Sequence, residues 1–342
     1  MERKKILFYY KLFFTGGTEH SILKLIKKLY EIFDIVVAYD EEETTNTVLK
    51  EINKYAEVIN LNNIEEISVD VVIWCSHSRS GTFKDFSRKV KAKHYYYWCH
   101  LIMFETFKGL EFAEDLRENI EKFICVSDVV KEDIINKYPE LEEKCMVLEN
   151  YLDESQIIEE SKEDIDINID SNSFNLISVS RLSEDKGYSR MKILCDILDK
   201  NKINYNWYVL GTAFKQEEAN MIKGWFKGNE RVHFLGYTDN VFKYISKMDA
   251  LALLTNRESW GLVITEALIL GKPCIVTNFA GVEKQITDDE NGVVIKMDNF
   301  DNSYEEKILQ LYKKQEEYKM NISKVDRSRE YLIDIWKEIL NK

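Results

Sequence analysis

Glu258-Ser-Trp-Gly-Leu-Val-Ile-Thr-Glu266, followed at once by Ala-Leu-Ile-Leu-Gly-Lys-Pro-Cys-Ile-Val, decides how this chain is read. The apolar run Ala250–Leu254 has the length of a buried strand, Asn256–Trp260 is polar, and Leu262–Leu270 reads as a helix stopped by Gly271 and Pro273. Glu258 therefore stands on a strand-to-helix loop and Glu266 on the helix, with seven residues between them. The first helical amides, near Gly261, Leu262 and Val263, offer donors and the positive end of the helix dipole to an anion or a hydroxyl oxygen. Two glutamates at this spacing say little by themselves. Placed across a glycine turn between a buried strand and a helix, they mark a site.

Outward from that stretch the chain alternates strand and helix. Lys5–Tyr10, Ile35–Ala38, Val69–Trp74, His94–Cys99, Phe123–Val126 and Lys144–Leu148 read as short buried strands, with Ser21–Ile32 and Val129–Lys137 among the helices between them. The segment 153–173 is strongly acidic and almost free of aromatics, and reads as an interdomain connection with room for a short helix. Alternation restarts at Phe174–Ser180 and continues through Tyr205–Leu210, Val232–Leu235, Ala250–Leu254, Pro273–Thr277 and Gly292–Ile295, and the chain closes with helices at Tyr304–Tyr318 and Asp326–Leu340. The fold expected is α/β with two Rossmann-like, doubly wound domains, whose strand-end loops line a central cleft. The boundaries expected are 1–152 for the first domain, 153–173 for the linker, 174–325 for the second domain and 326–342 for a last helix.

Composition narrows the function. A chain of 342 residues with 45% hydrophobic content can bury two cores, and two prolines with 13 glycines exclude a fibrous or disordered chain. The formal charge of −13 opposes a nucleic-acid partner, which needs a concentrated basic surface. No apolar stretch has the length of a membrane span, and Met1-Glu-Arg-Lys-Lys leads into a strand with no cleavage-site pattern, which reads as cytoplasmic. Cysteines 75, 99, 125, 145, 195 and 274 form no Cys-x-x-Cys and lie mostly in apolar runs, so they read as reduced, buried thiols. The five histidines show no metal-ligand spacing. Neither G-x-G-x-x-G nor G-x-x-x-x-G-K-[ST] occurs, which removes the motif support for a nicotinamide cofactor or a P-loop.

The carboxylate stretch resembles the E-x7-E signature of GT-B glycosyltransferases, in particular the large retaining group called family 4. Gly16-Gly17-Thr18-Glu19, Cys125-Val-Ser-Asp-Val-Val, Val147-Leu-Glu-Asn150-Tyr-Leu-Asp153, Ser180-Arg181-Leu-Ser-Glu-Asp-Lys186-Gly187, Val232-His-Phe-Leu-Gly236-Tyr, Asn278-Phe-Ala-Gly281-Val and Asn291-Gly292 follow the same family's order. The resemblance implies transfer of a sugar from a nucleotide diphosphate sugar, UDP above all, to a saccharide or lipid-linked saccharide. It also implies retention, no metal or other cofactor, and a last helix that crosses back to the first domain. Two rivals carry the same fold: a UDP-aminosugar epimerase, and a non-catalytic subunit that binds a saccharide or a partner. Arg181, Lys186, Glu258 and Glu266 are all present, which disfavours the second.

By the resemblance Glu266 holds ribose hydroxyls and Glu258 those of the transferred sugar; a carboxylate accepts two hydroxyls side by side. Arg181 and Lys186, between a strand end and a helix, are cations suited to a departing diphosphate. Gly16 and Gly17 allow close backbone approach to the ligand. His100 matches a histidine that faces the sugar, although Leu101 replaces the aspartate that usually follows; His77 is a second candidate. Asp164-Ile-Asp166 looks like a metal-binding Asp-x-Asp but lies in the acidic segment and ends no buried strand, so it reads as a decoy. Lys24, Lys27 and Lys28 share one face of the first helix, a surface suited to anionic headgroups or simply to solvent, with Lys89, Lys91 and Lys93 as a further basic cluster.

Overall fold

The structure, a computed structural model, describes residues 3–13, 17–42, 47–75, 83–106, 109–297, 302–323 and 329–342. The chain divides into two compact units, one of residues 1–153 with 328–342 and one of residues 154–327. In the first, the strands in chain order are β1 (Lys5–Phe13), β2 (Asp34–Glu42), β3 (Glu57–Asn60), β4 (Ile67–Ser68), β5 (Val71–Trp74), β6 (Val90–Lys91), β7 (His94–Cys99), β8 (Lys122–Cys125) and β9 (Cys145–Val147). Seven form one parallel sheet in the order β3-β2-β1-β5-β7-β8-β9, while β4 and β6 pair with each other. Parallel strands need both faces covered. Helices do this: Gly17–Leu29 turns Ile22, Leu25, Ile26 and Leu29 inward at three- and four-residue spacing. The helix Tyr331–Leu340 belongs to this unit, with Trp336 and Leu340 fully buried in its core.

The second unit holds β10 (Phe174–Val179), β11 (Tyr205–Leu210), β12 (Val232–Gly236), β13 (Ala250–Leu253), β14 (Cys274–Thr277) and β15 (Gly292–Ile295), all parallel, in the order β12-β11-β10-β13-β14-β15. Strand pleat sends neighbours to opposite faces. Ala250 and Ala252 accordingly join one core with Leu176 and Trp207, while Leu251 and Leu253 join another with Ile177 and Tyr208. The two-unit, Rossmann-like α/β architecture read from the sequence is therefore present. Winding reverses between β10 and β13, and such a reversal opens a crevice beyond the carboxyl ends of the two strands.

Three differences from the sequence reading have physical causes. β3 is a half-exposed edge strand, so it lacks the continuous apolar run that marked the others. The last helical stretch of the second unit is two helices, Asn302–Lys313 and Gln315–Ser323. Residues 154–173 are part of the second unit: Glu154–Glu160 is helical with Ile157 buried, and Ile165, Ile167 and Ile169 pack against the core behind β13. The acidic composition hid an alternating apolar face. None of the six cysteines forms a disulfide, and all are buried.

One buried cation gives a stability prediction. Lys272, just before β14, has its pKa lowered from 10.5 to about 8, chiefly by burial and further by Lys319. Its folded value lies below its unfolded one, so the unfolded chain binds more protons between those two pH values, and folding stability rises with pH across that window. Lys272→Met, which keeps the apolar stem, should raise stability at pH 7 by roughly 1–2 kcal/mol, a figure reduced for partial solvent access. In urea titrations the gain over wild type should close toward pH 10; a gain independent of pH would refute the assignment.

Candidate active site

The crevice at the reversal is built from the segment after β10 and the segment after β13. Gly187 makes their close approach possible. It adopts φ +75°, and a Cβ there would fall 1.8 Å from the Leu254 carbonyl oxygen. The Asn256 amide and the Thr255 hydroxyl both donate to the Asp185 carbonyl, at 2.8 and 3.2 Å. Arg190 reaches over from the following helix, its Nε donating to the Leu254 carbonyl at 2.8 Å and its Nη2 to Asn256 Oδ1 at 2.5 Å. Thr277 at the end of β14 donates to the Thr255 carbonyl at 2.5 Å. These bonds satisfy loop carbonyls that would otherwise lose water, and they fix the register of the two segments.

The consequence is a meeting of two residues 72 positions apart: Lys186 Nζ donates to Glu258 Oε1 at 2.6 Å. Their side chains are only 13% and 18% exposed, so water screens the pair weakly. Arg181 lies on the same post-β10 segment, exposed, with its guanidinium 4.8 Å from the centre of the Phe214 ring.

Gly261, at φ +78°, turns the chain into the Leu262–Ile269 helix, and its carbonyl accepts the Ile264 amide at 2.9 Å. Leu262 and Val263 are half-buried at the start of that helix, and Glu266 lies one turn on, 8% exposed. The turn is locked from behind. Trp260 Nε1 donates to Thr265 Oγ1 at 3.2 Å, Thr265 donates to Gln285 Oε1 at 2.6 Å, and Gln285 Nε2 donates to the Trp260 carbonyl. Sequence reading did not single out Thr255, Thr265, Gln285 or Arg190. The one local signal was a threonine beside Glu266 in a helix whose other residues are apolar.

In the first unit, His100 follows β7, 5% exposed, its ring 4.3 Å from Trp98, which in turn meets Trp336 edge-on at 4.7 Å. The loop after it is held by Asp133, whose carboxylate accepts the amides of Met103, Phe104 and Glu105 at 2.7, 2.9 and 2.9 Å. Gly17 is exposed at the first turn of its helix, with nothing within 4 Å of an added Cβ. Gly16 and His77 lie outside the described residues.

The remaining polar features have structural partners. Lys27 pairs with Glu51 at 3.5 Å, and Lys28 pairs with Asp153 at 2.8 Å and Glu330 at 3.6 Å. Hydrogen bonding to Asp153 keeps the Lys28 amine charged well above its ordinary range. Lys93 pairs with Asp70, and Lys89 and Lys91 donate to the Leu61 and Ser87 carbonyls. Asp166 accepts the Tyr244 hydroxyl at 2.5 Å, which holds its carboxyl below the usual range. Among the described residues no group of three His, Cys, Asp or Glu side chains is placed to hold a metal, and no helix is long and apolar enough to cross a membrane.

The two parallel doubly wound units have the α/β architecture of the GT-B fold. Residues 159–328 match the family model of glycosyl transferases group 1, and the chain is a glycosyltransferase. It is 24% identical over 323 residues to an uncharacterised glycosyltransferase of Methanocaldococcus jannaschii, covering 89% of this chain and 86% of that one. Over 175 residues, 51% of this chain and 46% of the relative, it is 25% identical to N-acetylgalactosamine-N,N'-diacetylbacillosaminyl-diphospho-undecaprenol 4-alpha-N-acetylgalactosaminyltransferase of Campylobacter jejuni. Among solved structures, HepE of Anabaena in complex with UDP superposes with a TM-score of 0.74 at 17% identity over 98% of this chain and 99% of that one. TarM of S. aureus superposes with a TM-score of 0.71 at 14% identity, covering 99% and 100%.

Proposed function

We propose that this glycosyltransferase moves a sugar from a UDP-sugar to a saccharide or lipid-linked saccharide, with retention at the anomeric carbon and without a metal ion. The observation that carries the reading is the Lys186–Glu258 pair at the winding reversal, with the uncommitted charge of Arg181 on the same segment. A diphosphate gains negative charge as the glycosidic bond breaks, and fixed cations beside helix amides stabilise that change without reorganising. In this reading Lys186 exchanges Glu258 for a diphosphate oxygen and Arg181 takes another. The amides of Leu262 and Val263 add dipole at the turn made by Gly261. Glu258, released from Lys186, accepts hydroxyls of the sugar, and Glu266 accepts those of the ribose.

In the first unit His100 is the group assigned to a sugar hydroxyl, with Gly16 and Gly17 giving the backbone access to the ligand. HepE was solved with UDP and with UDP-glucose, and the Campylobacter relative is named for a diphospho-undecaprenol substrate; both support the donor and acceptor classes. The lysine face of the first helix lends no support to membrane contact, because Lys27 and Lys28 spend their charges on Glu51, Asp153 and Glu330.

The test is incubation with α-linked UDP-hexoses and a panel of free and undecaprenyl-diphosphate-linked acceptors in EDTA, with proton NMR of the first product. An α-linked product formed in chelator is expected. A β-linked first product would overturn retention, and turnover restored only by Mg²⁺ or Mn²⁺ would overturn metal independence.

A further inference from the structure

Phe214 is 71% exposed, the highest of the exposed large hydrophobic residues among those described. It lies on the segment after β11, and that segment is tied to the one after β10. The Ser180 amide donates to the Leu210 carbonyl at 3.0 Å and the Leu182 amide to the Thr212 carbonyl at 2.9 Å. Gly211, at φ +139°, lets the backbones meet; a Cβ there would fall 1.9 Å from the Ser180 carbonyl oxygen. Between these two fixed segments the Arg181 guanidinium rests on the Phe214 ring at 4.8 Å.

We propose that Phe214 is a positioning residue for Arg181: its ring orients the guanidinium for a diphosphate while leaving its charge unneutralised. This inference rests on the diphosphate reading of Arg181. The chemistry distinguishes the two cations of the site. Lys186 is held by a carboxylate that an incoming anion must displace, whereas Arg181 is held by a π-face that a diphosphate can leave in place. A ring restrains direction and competes for no oxygen acceptor. Arg181 is thus the cation ready for first contact.

The test is a double-mutant cycle read by UDP calorimetry, donor turnover and melting temperature. Phe214→Ala should weaken UDP binding roughly three- to tenfold, the range expected of a stacked cation. It should leave the melting temperature unchanged, because the ring is exposed. Phe214→Trp should retain wild-type affinity, and Phe214→Leu, which keeps apolar bulk without a π-face, should behave as Phe214→Ala. In an Arg181→Ala background the Phe214→Ala change should have no further effect. Additive losses, or full affinity in Phe214→Leu, would overturn the positioning role while leaving the diphosphate reading intact. Wild-type UDP affinity in Arg181→Ala would overturn the diphosphate reading and this inference with it.

Discussion

Lys186→Ala should lower turnover about a hundred- to a thousandfold, the loss typical when one preorganised donor to a developing anion is removed. The amine is held at 2.6 Å from Glu258 with 13% of its side chain exposed, so it is desolvated and oriented before any donor binds. A solvated surface lysine would contribute far less. UDP affinity should fall less than turnover, because charge on the diphosphate grows as the bond breaks. Lys186→Arg should recover only part of the rate, since a planar guanidinium does not fit the space of a compact ammonium against Glu258. Steady-state kinetics with calorimetry measure both. Turnover within threefold of wild type in Lys186→Ala would remove this residue from the chemistry.

Gly187→Ala should be among the most destabilising small changes in the second unit, by roughly 3–5 kcal/mol and about 10 °C in melting temperature. Two effects add. The residue sits at φ +75°, and the new Cβ would fall 1.8 Å from the Leu254 carbonyl oxygen, which is backbone and cannot swing aside. Gly228 provides the control, since it has φ +88° with nothing within 4 Å of an added Cβ, so Gly228→Ala carries the backbone strain alone, about 1 kcal/mol. Relief of the Gly187 overlap must part the two segments that bring Lys186 to Glu258, so the surviving folded protein should also turn over slowly. Equal melting temperatures for the two variants would show that the contact at Leu254 is not tight.

Much of this was readable beforehand because its causes are local. Buried parallel strands are continuous apolar runs, and Val71–Trp74 and Ala250–Leu253 announce themselves that way. Gly261 before an apolar helix marks a turn, and the glutamates on either side of it were candidates because they flank that turn between a buried strand and a helix. What escaped reading depends on non-local contact. That Lys186 and Glu258 hold each other follows from the bonds of Asp185 to Thr255 and Asn256, and no pattern in either segment encodes those bonds. Thr265 and Gln285 look unremarkable in sequence and acquire meaning only when they meet behind Trp260. The stretch 154–173 misled because its charges dominate composition, whereas its packing rests on Ile157, Ile165, Ile167 and Ile169.

The burial of Trp336 and Leu340 in the first unit sets an order on synthesis. The ribosome delivers residues 1–153 first, yet their core lacks the helix Tyr331–Leu340 until the whole intervening unit has emerged. The second unit is continuous along the chain and can complete its own sheet while the first still waits. A chain truncated before residue 331 therefore keeps the second unit continuous but leaves an apolar gap beside Trp98 in the first.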